Sequence, residues 1–287
     1  MRLTTKRLGL VLLLPMIIFS TIFGLYPLAF AIFLSLTPFS LGPPQYTLAG
    51  FGNYMMALTD SFFSNSVTVT FLIAFGAVTI ELFLGLIMAV LLNERFRGSR
   101  LVRILFLLPM MTPPIVVGII WKTMFLPNTG PFAYVSQAIG FNYPNVLGSS
   151  LALIAVVLTD VWQNTPFVML ILLAGLQSIP PPVMEAAQVD GAPSSQVFRH
   201  ITLPLIVPVL IVAVVFRLVT AVKMFDVVYV LTQGGPSFAT DVISIFVQRT
   251  FVFYYELSYA SAASIIFMLV AFMLAISLTK VMRWSAR

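Results

Sequence analysis

The chain has 287 residues, 60% hydrophobic and only 8% charged, where soluble proteins run near 45–50% and about 25%, so it reads as a membrane protein. With no Cys and one His it excludes disulfides, thiolate metal sites and iron–sulfur clusters, and it leaves no His cluster for a metal. The formal charge of +6 is first assigned to orienting the chain in a bilayer, and no nucleic-acid partner is expected.

Arg2, Lys6 and Arg7 precede an apolar run over residues 8–36, long enough for a span, which needs about 20 residues. Ala29-Phe30-Ala31 would suit a signal-peptide cleavage site, but the core is far longer than the usual 7–15 residues, so a retained first span is expected. Pro15 and Pro27 inside it are tolerable where neighbouring helices satisfy the freed carbonyls. After a polar loop, a second run covers 65–92 and contains Glu81. A short basic loop then leads into a third run, 101–125, interrupted by Pro109, Pro113 and Pro114. An uncharged loop follows, then a fourth run over 151–173 with Asp160, Gln163, Asn164 and Pro166. A fifth over 205–231 carries Arg217, Lys223 and Asp226, and a sixth covers 258–278 before Lys280, Arg283 and Arg287.

Six spans put both termini on one side. Arg2, Lys6, Arg7, Arg95, Arg97, Arg100, Arg103, Arg199, Lys280, Arg283 and Arg287 fall on that side and Arg249 alone on the other, and such an excess of Lys and Arg marks the cytoplasm. The expectation is an all-α polytopic membrane protein of six transmembrane helices, a single domain over 1–287 with both termini cytoplasmic. No GxxxxGK[ST] phosphate cradle occurs, so any ATP-driven work needs an ATPase on another chain.

Between the fourth and fifth runs, residues 180–208 read PPPVMEAAQVDGAPSSQVFRHITLPLIVP. Proline at a first helical turn costs no hydrogen bond, so a helix is expected over about 181–189. Gly191 then stands where a left-handed stop is wanted, and Pro193 and Ser194 begin a second short helix. Helices this short do not persist alone in water; they need something to dock against. A hairpin lying on the lipid surface would need basic residues on its polar face, and only Arg199 and His200 are present.

Glu185-Ala186-Ala187, Asp190-Gly191-Ala192 and Ile201-Thr202-Leu203-Pro204 at this spacing resemble the EAA loop of binding-protein-dependent ABC importer permeases. Gly50-Phe51-Gly52-Asn53-Tyr54, Phe225-Asp226 and Leu231-Thr232-Gln233-Gly234-Gly235-Pro236 are similar to the carbohydrate-uptake branch, in its maltose/glycerol-phosphate type. The resemblance covers nearly the whole chain. It implies a type I importer permease fold in which this loop is a cytoplasmic coupling helix, with Glu185, Ala186, Ala187, Asp190, Gly191 and Phe198 meeting a cleft on an ATPase subunit. It further implies a second homologous permease chain, two cytoplasmic ATPase subunits that hold ATP and Mg, an extracytoplasmic solute-binding protein, and a place in the inner membrane of a prokaryote. This chain itself would bind no cofactor or metal and catalyse no covalent chemistry.

A charge at the bilayer centre costs roughly 2.5–3.5 kcal/mol on insertion scales, so each buried ionisable residue needs a partner or a wet cavity. Counting at 1.5 Å per residue, Asp160 and Arg217 stand about 14 and 18 Å deep from opposite faces of a roughly 30 Å core, both near the midplane. Helical spacing puts Asp160, Asn164, Phe167 and Ile171 on one face with Gln163 adjacent, and Arg217, Thr220, Ala221 and Met224 on another. These residues are the expected substrate pathway, and in maltose-type permeases the sugar is held by the spans on either side of the EAA loop. For Asp160 and Arg217 a structural ion pair stands equally beside a substrate contact. Lys223 and Asp226 are expected to neutralise each other at i, i+3, and Glu81 to bond a hydroxyl or Arg of a neighbouring span. An alternative function is a self-sufficient ion-coupled secondary transporter using Glu81, Asp160 and Asp226; inverted repeats and broken half-helices, its signature, are not evident in the sequence. An embedded enzyme would have little beyond His200 to work with.

Overall fold

The computed structural model describes residues 5–38, 47–94 and 96–285, with backbone alone for 5–11 and 281–285. Of the basic residues counted above, Arg2, Arg95 and Arg287 lie outside the described residues. All regular structure among the described residues is helical: α1 (Thr5–Ser20), a π-helical turn (Thr21–Leu25), α2 (Tyr26–Ser35), α3 (Gly52–Thr59), α4 (Ser61–Asn93), α5 (Ser99–Met111), α6 (Pro114–Met124), α7 (Pro131–Ala138), α8 (Ala152–Gln177), α9 (Pro181–Val189), α10 (Ser194–Val197), a second π-turn (Phe198–Thr202), α11 (Leu203–Ala221), α12 (Asp226–Leu231), α13 (Ile243–Gln248), a third π-turn (Arg249–Phe253) and α14 (Leu257–Ser285). Among the described residues, five helical stretches are long and apolar enough to cross a membrane, or six if α5 and α6, bent by 95°, count as one broken span.

The breaks have local causes. Pro113 and Pro114 follow Thr112, and a residue before proline is driven out of the helical region; Thr112 accordingly has ψ 131. The fifth run, expected to be continuous, stops at Ala221 and resumes at Asp226. No Pro or Gly lies in that gap. The Ser244 hydroxyl donates to the Met224 carbonyl there, replacing an intrahelical partner. The second arm of the helical corner also differs from expectation, because Ser194–Ala221 is a single 28-residue helical stretch. The π-turn lies just ahead of Pro204, and the helix continues past both Pro204 and Pro208. This arm therefore needs no external docking to persist.

One compact unit comprises Met1–Ser64 and Phe246–Leu269. In it the Asn53 amide donates to the carbonyls of Ser35 (2.9 Å) and Thr37 (2.7 Å). The Tyr54 hydroxyl meets Ser35 Oγ at 2.6 Å, so the Gly50–Tyr54 motif ties α3 to the end of α2. Thr37 meets Ser258 on α14, and the Tyr259 hydroxyl donates to Asp60. Buried polar groups that would otherwise lack water are satisfied by these bonds.

The other unit is Asn65–Ile245 with Val270–Arg287. It contains two apolar clusters. The first joins Ile73 and Ala77 of α4, Val156 and Val161 of α8, and Val228 and Leu231 of α12. The second joins Ala89 and Leu92 of α4, Val168, Met169 and Leu172 of α8, and Ile206 and Ala213 of α11. The helices approach closely where they carry glycine: a Cβ on Gly85 of α4 would stand 2.8 Å from Val168 Cγ1 and 3.1 Å from the Met169 nitrogen. In sequence, the charged positions 81 and 217 fall between the stretches that build the two clusters, and 160 falls within the α8 stretch of the first.

Candidate functional site

Glu81, Asp160 and Arg217 form a three-residue ionic cluster. Glu81 is 0% exposed, Arg217 4% and Asp160 5%, so water cannot stabilise them and they must satisfy one another. Arg217 Nε donates to Glu81 Oε2 at 2.6 Å and Nη2 to Glu81 Oε1 at 2.8 Å, a bidentate fork that a lysine cannot make. Nη2 also donates to Asp160 Oδ2 at 2.8 Å and Nη1 to Thr220 Oγ1 at 2.8 Å. Asn164, one turn after Asp160, donates from Nδ2 to the Asp160 carbonyl (3.1 Å) and to its Oδ1 (2.8 Å). Gln163 Nε2 donates to the Thr112 carbonyl at 3.1 Å, satisfying a group that the α5–α6 break leaves without an intrahelical partner.

A cavity of about 230 Å³ opens beside this cluster, lined by Pro114, Asp160, Gln163, Asn164, Arg217, Thr220, Ala221, Lys223, Met224, Phe225, Asp226 and Val227. Small-molecule sites usually run to ~300–1,000 Å³, so this one is smaller than most. Of the residues expected in the pathway, Asp160, Gln163, Asn164, Arg217, Thr220 and Met224 line it, and Phe167 does not. Met224 reaches it from the turn after α11, past the helical face on which spacing had put it. The expected Lys223–Asp226 pair is absent among the described residues: the helix break separates them, and Arg217 is the residue that ion-pairs at this site, with Glu81 and Asp160. Asp226 instead opens α12, where a carboxylate suits the positive end of the helix dipole. Glu81 takes the arginine reading rather than the hydroxyl one. Pro114 and Phe225 were missed, since only the two chain breaks bring them to the cavity.

At the helical corner, Gly191 has φ +68, and the Ala192 N–H donates to the Ala187 carbonyl at 3.1 Å, the bonding of a glycine-terminated helix. Glu185, Ala186, Asp190 and Gly191 are exposed and Phe198 is half-buried. Ala187 is 5% exposed and faces its own chain. Val189, not singled out from the sequence, is 87% exposed. A second cavity, of about 810 Å³, is lined by Met184, Glu185 and Gln188 of α9 together with Asn93, Arg103 and Gln177.

Long apolar helices with a charged layer and a polar cavity between apolar clusters define a multi-pass membrane protein. The chain belongs to the family of binding-protein-dependent transport system inner membrane components, whose model matches residues 81–284. It is 41% identical over 253 residues to a probable ABC transporter permease protein, y4oQ, of Sinorhizobium fredii, spanning 88% of this chain and 81% of that one. It is 39% identical over 240 residues to the trehalose/maltose transport system permease protein MalF of Thermococcus litoralis, spanning 83% and 81%. Its fold matches a chain of a bacterial alginate ABC transporter, solved in complex with an alginate pentasaccharide-bound periplasmic protein, with a TM-score of 0.84 and 25% identity over 94% of this chain and 92% of that one.

Proposed function

We propose that this chain is the permease subunit of an ATP-driven, binding-protein-dependent importer. It forms, as a single domain, half of an alternating-access pathway for a sugar, oligosaccharide or polyol in the cytoplasmic membrane of a prokaryote. The observation that carries this reading is the covalent route from the helical corner to the cavity. α8 carries Asp160, Gln163 and Asn164 and reaches α9 through residues 178–180 alone. The other arm runs unbroken from Ser194 to Ala221 and carries Arg217 and Thr220. Movement of the corner is therefore delivered to both walls of the cavity by two stiff helices, a rigid-body switch.

In this reading the corner seats Glu185 and Val189 in a cleft on one of two ATPase subunits, which hold the ATP and Mg. A loaded extracytoplasmic binding protein delivers substrate at the other membrane face, and a second, homologous permease completes the pathway. Only 6% of the apolar window in residues 12–35 is covered by the chain itself, against 67% for α8, so the first span is left for lipid and the second permease. The relatives named for trehalose/maltose and for alginate support a carbohydrate. The test is co-purification and transport. The protein extracted in detergent should bring an ATPase subunit with it, and uptake in proteoliposomes should require ATP. Uptake without ATP, with no ATPase bound, would sink the proposal.

A further inference from the structure

Resting on that reading, we infer that the cavity passes neutral polyhydroxylated substrates and disfavours phosphorylated or carboxylated ones, because Glu81 and Asp160 sequester the Arg217 guanidinium and the carboxylates at the site outnumber its cations. An arginine in a permeation path ordinarily suggests recognition of an anion, through its five N–H donors. Here four of the five are committed: Nε and Nη2 to the two carboxylates and one Nη1 hydrogen to Thr220. The charge count follows the same line. Glu81, Asp160 and Asp226 set three carboxylates against Arg217 and the exposed Lys223, an excess of one negative charge at the site in the ionised forms.

The two amides extend the argument. An amide's nitrogen and oxygen are told apart by their partners. Asn164 Nδ2 faces two acceptors, the Asp160 carbonyl and carboxylate, so the nitrogen assignment is forced and Oδ1 is left as the acceptor. Gln163 Nε2 faces the Thr112 carbonyl, which fixes Oε1 as an acceptor and leaves one N–H of the amide uncommitted. Thr220 accepts from Arg217 and gives its own proton to the Phe216 or Arg217 carbonyl. Sugar hydroxyls donate to such acceptors; a phosphate or carboxylate oxygen has no proton to give them, and Lys223 is the cation it meets against a net negative site.

The chain has no cysteine, which allows the cavity's field to be measured without knowing the substrate. In the purified complex, Met224→Cys places one thiol of this chain on the cavity wall. Its labelling by cationic trimethylammonioethyl, neutral methyl and anionic sulfonatoethyl methanethiosulfonate is followed by mass spectrometry of this subunit. Each rate is divided by that for mercaptoethanol, and the ratio between reagents cancels the thiol's own reactivity. The anionic reagent should be slower than the cationic one by roughly tenfold or more, as a unit charge within about 8 Å produces in a partly screened site. Asp160→Asn in the same background should narrow that ratio several-fold. Should this second variant fail to fold, the ratio in Met224→Cys alone still decides. Equal or faster labelling by the anion overturns the inference, and so does absence of labelling by all three, since the cavity is then no path. A cation-selective result in a complex that shows no ATP-driven uptake would instead sink the importer reading and leave the cavity's field as described.

Discussion

Arg217 sits where the loss of one side chain is felt most. Arg217→Met would leave Glu81 and Asp160, at 0% and 5% exposure, buried without a counter-charge, and breaking a buried ion pair from one side costs about 3–5 kcal/mol. A marked fall in melting temperature of the detergent-solubilised complex is expected. Neutralising all three at once, as Glu81→Gln, Asp160→Asn and Arg217→Met, should recover most of it, because a buried cluster replaced whole loses its desolvation cost along with its attraction. A single variant as stable as the parent would show that the cluster is wet. Gly191 makes a different residue-scale case: no atom lies within 4 Å of a Cβ built there, so only its φ of +68 opposes substitution. Gly191→Ala should cost about 1–2 kcal/mol and lower ATP-driven uptake, with Gly191→Asn closer to the parent because Asn tolerates the left-handed region. Uptake falling equally in both would point to a contact rather than to backbone strain.

Among the helices, the closest approach that frames the cluster is α4 against α8 at Gly85. Gly85→Leu would force its Cβ against Val168 and the Met169 backbone nitrogen, and overpacking of this kind costs about 1–3 kcal/mol. The melting temperature should fall; Gly76, with open space around it, should accept Ala without such a loss. The apolar runs made most helices legible, and the Pro113–Pro114 break could be read from the prolines. The break after Ala221 could not, because Val222, Lys223, Met224 and Phe225 carry no stop signal. It is produced by a distant hydroxyl, Ser244, and by α12 packing on α6, where a Cβ on Gly118 would meet Val230 at 2.9 Å. That single tertiary event undid the expected Lys223–Asp226 pair and brought Phe225 to the cavity. Glu81 was visible as a charge but not as Arg217's partner. Counted from the ends of α4 and α11 nearer the helical corner, both stand about 18–21 Å in, a depth match that sequence spacing supplies once the helix ends are known.

At the scale of the whole importer, the proposed coupling has to pass through few atoms. Glu185 is exposed, Val189 is 87% exposed and Ala187 is buried in its own chain. The corner thus divides into a face that seats it on the bundle and a face turned outward. Only the outward face is available to an ATPase. Glu185→Lys reverses the charge offered there, and Val189→Asp puts a carboxylate where an apolar contact is expected; neither alters the buried cluster. Both variants should leave the melting temperature of the permease pair unchanged within error, since substitutions at exposed sites usually shift stability by no more than about 0.5 kcal/mol. Losing the partner contact is expected to cost about 1–3 kcal/mol of docking, seen as roughly 5- to 150-fold weaker retention of the ATPase on affinity-purified permease. ATP-driven uptake should fall with it. Because α10 and α11 are one continuous helix, the same variants should also remove any ATP-dependent change in the labelling of Met224→Cys. If that change persists while uptake is lost, the motion reaches the cavity by a route other than this corner.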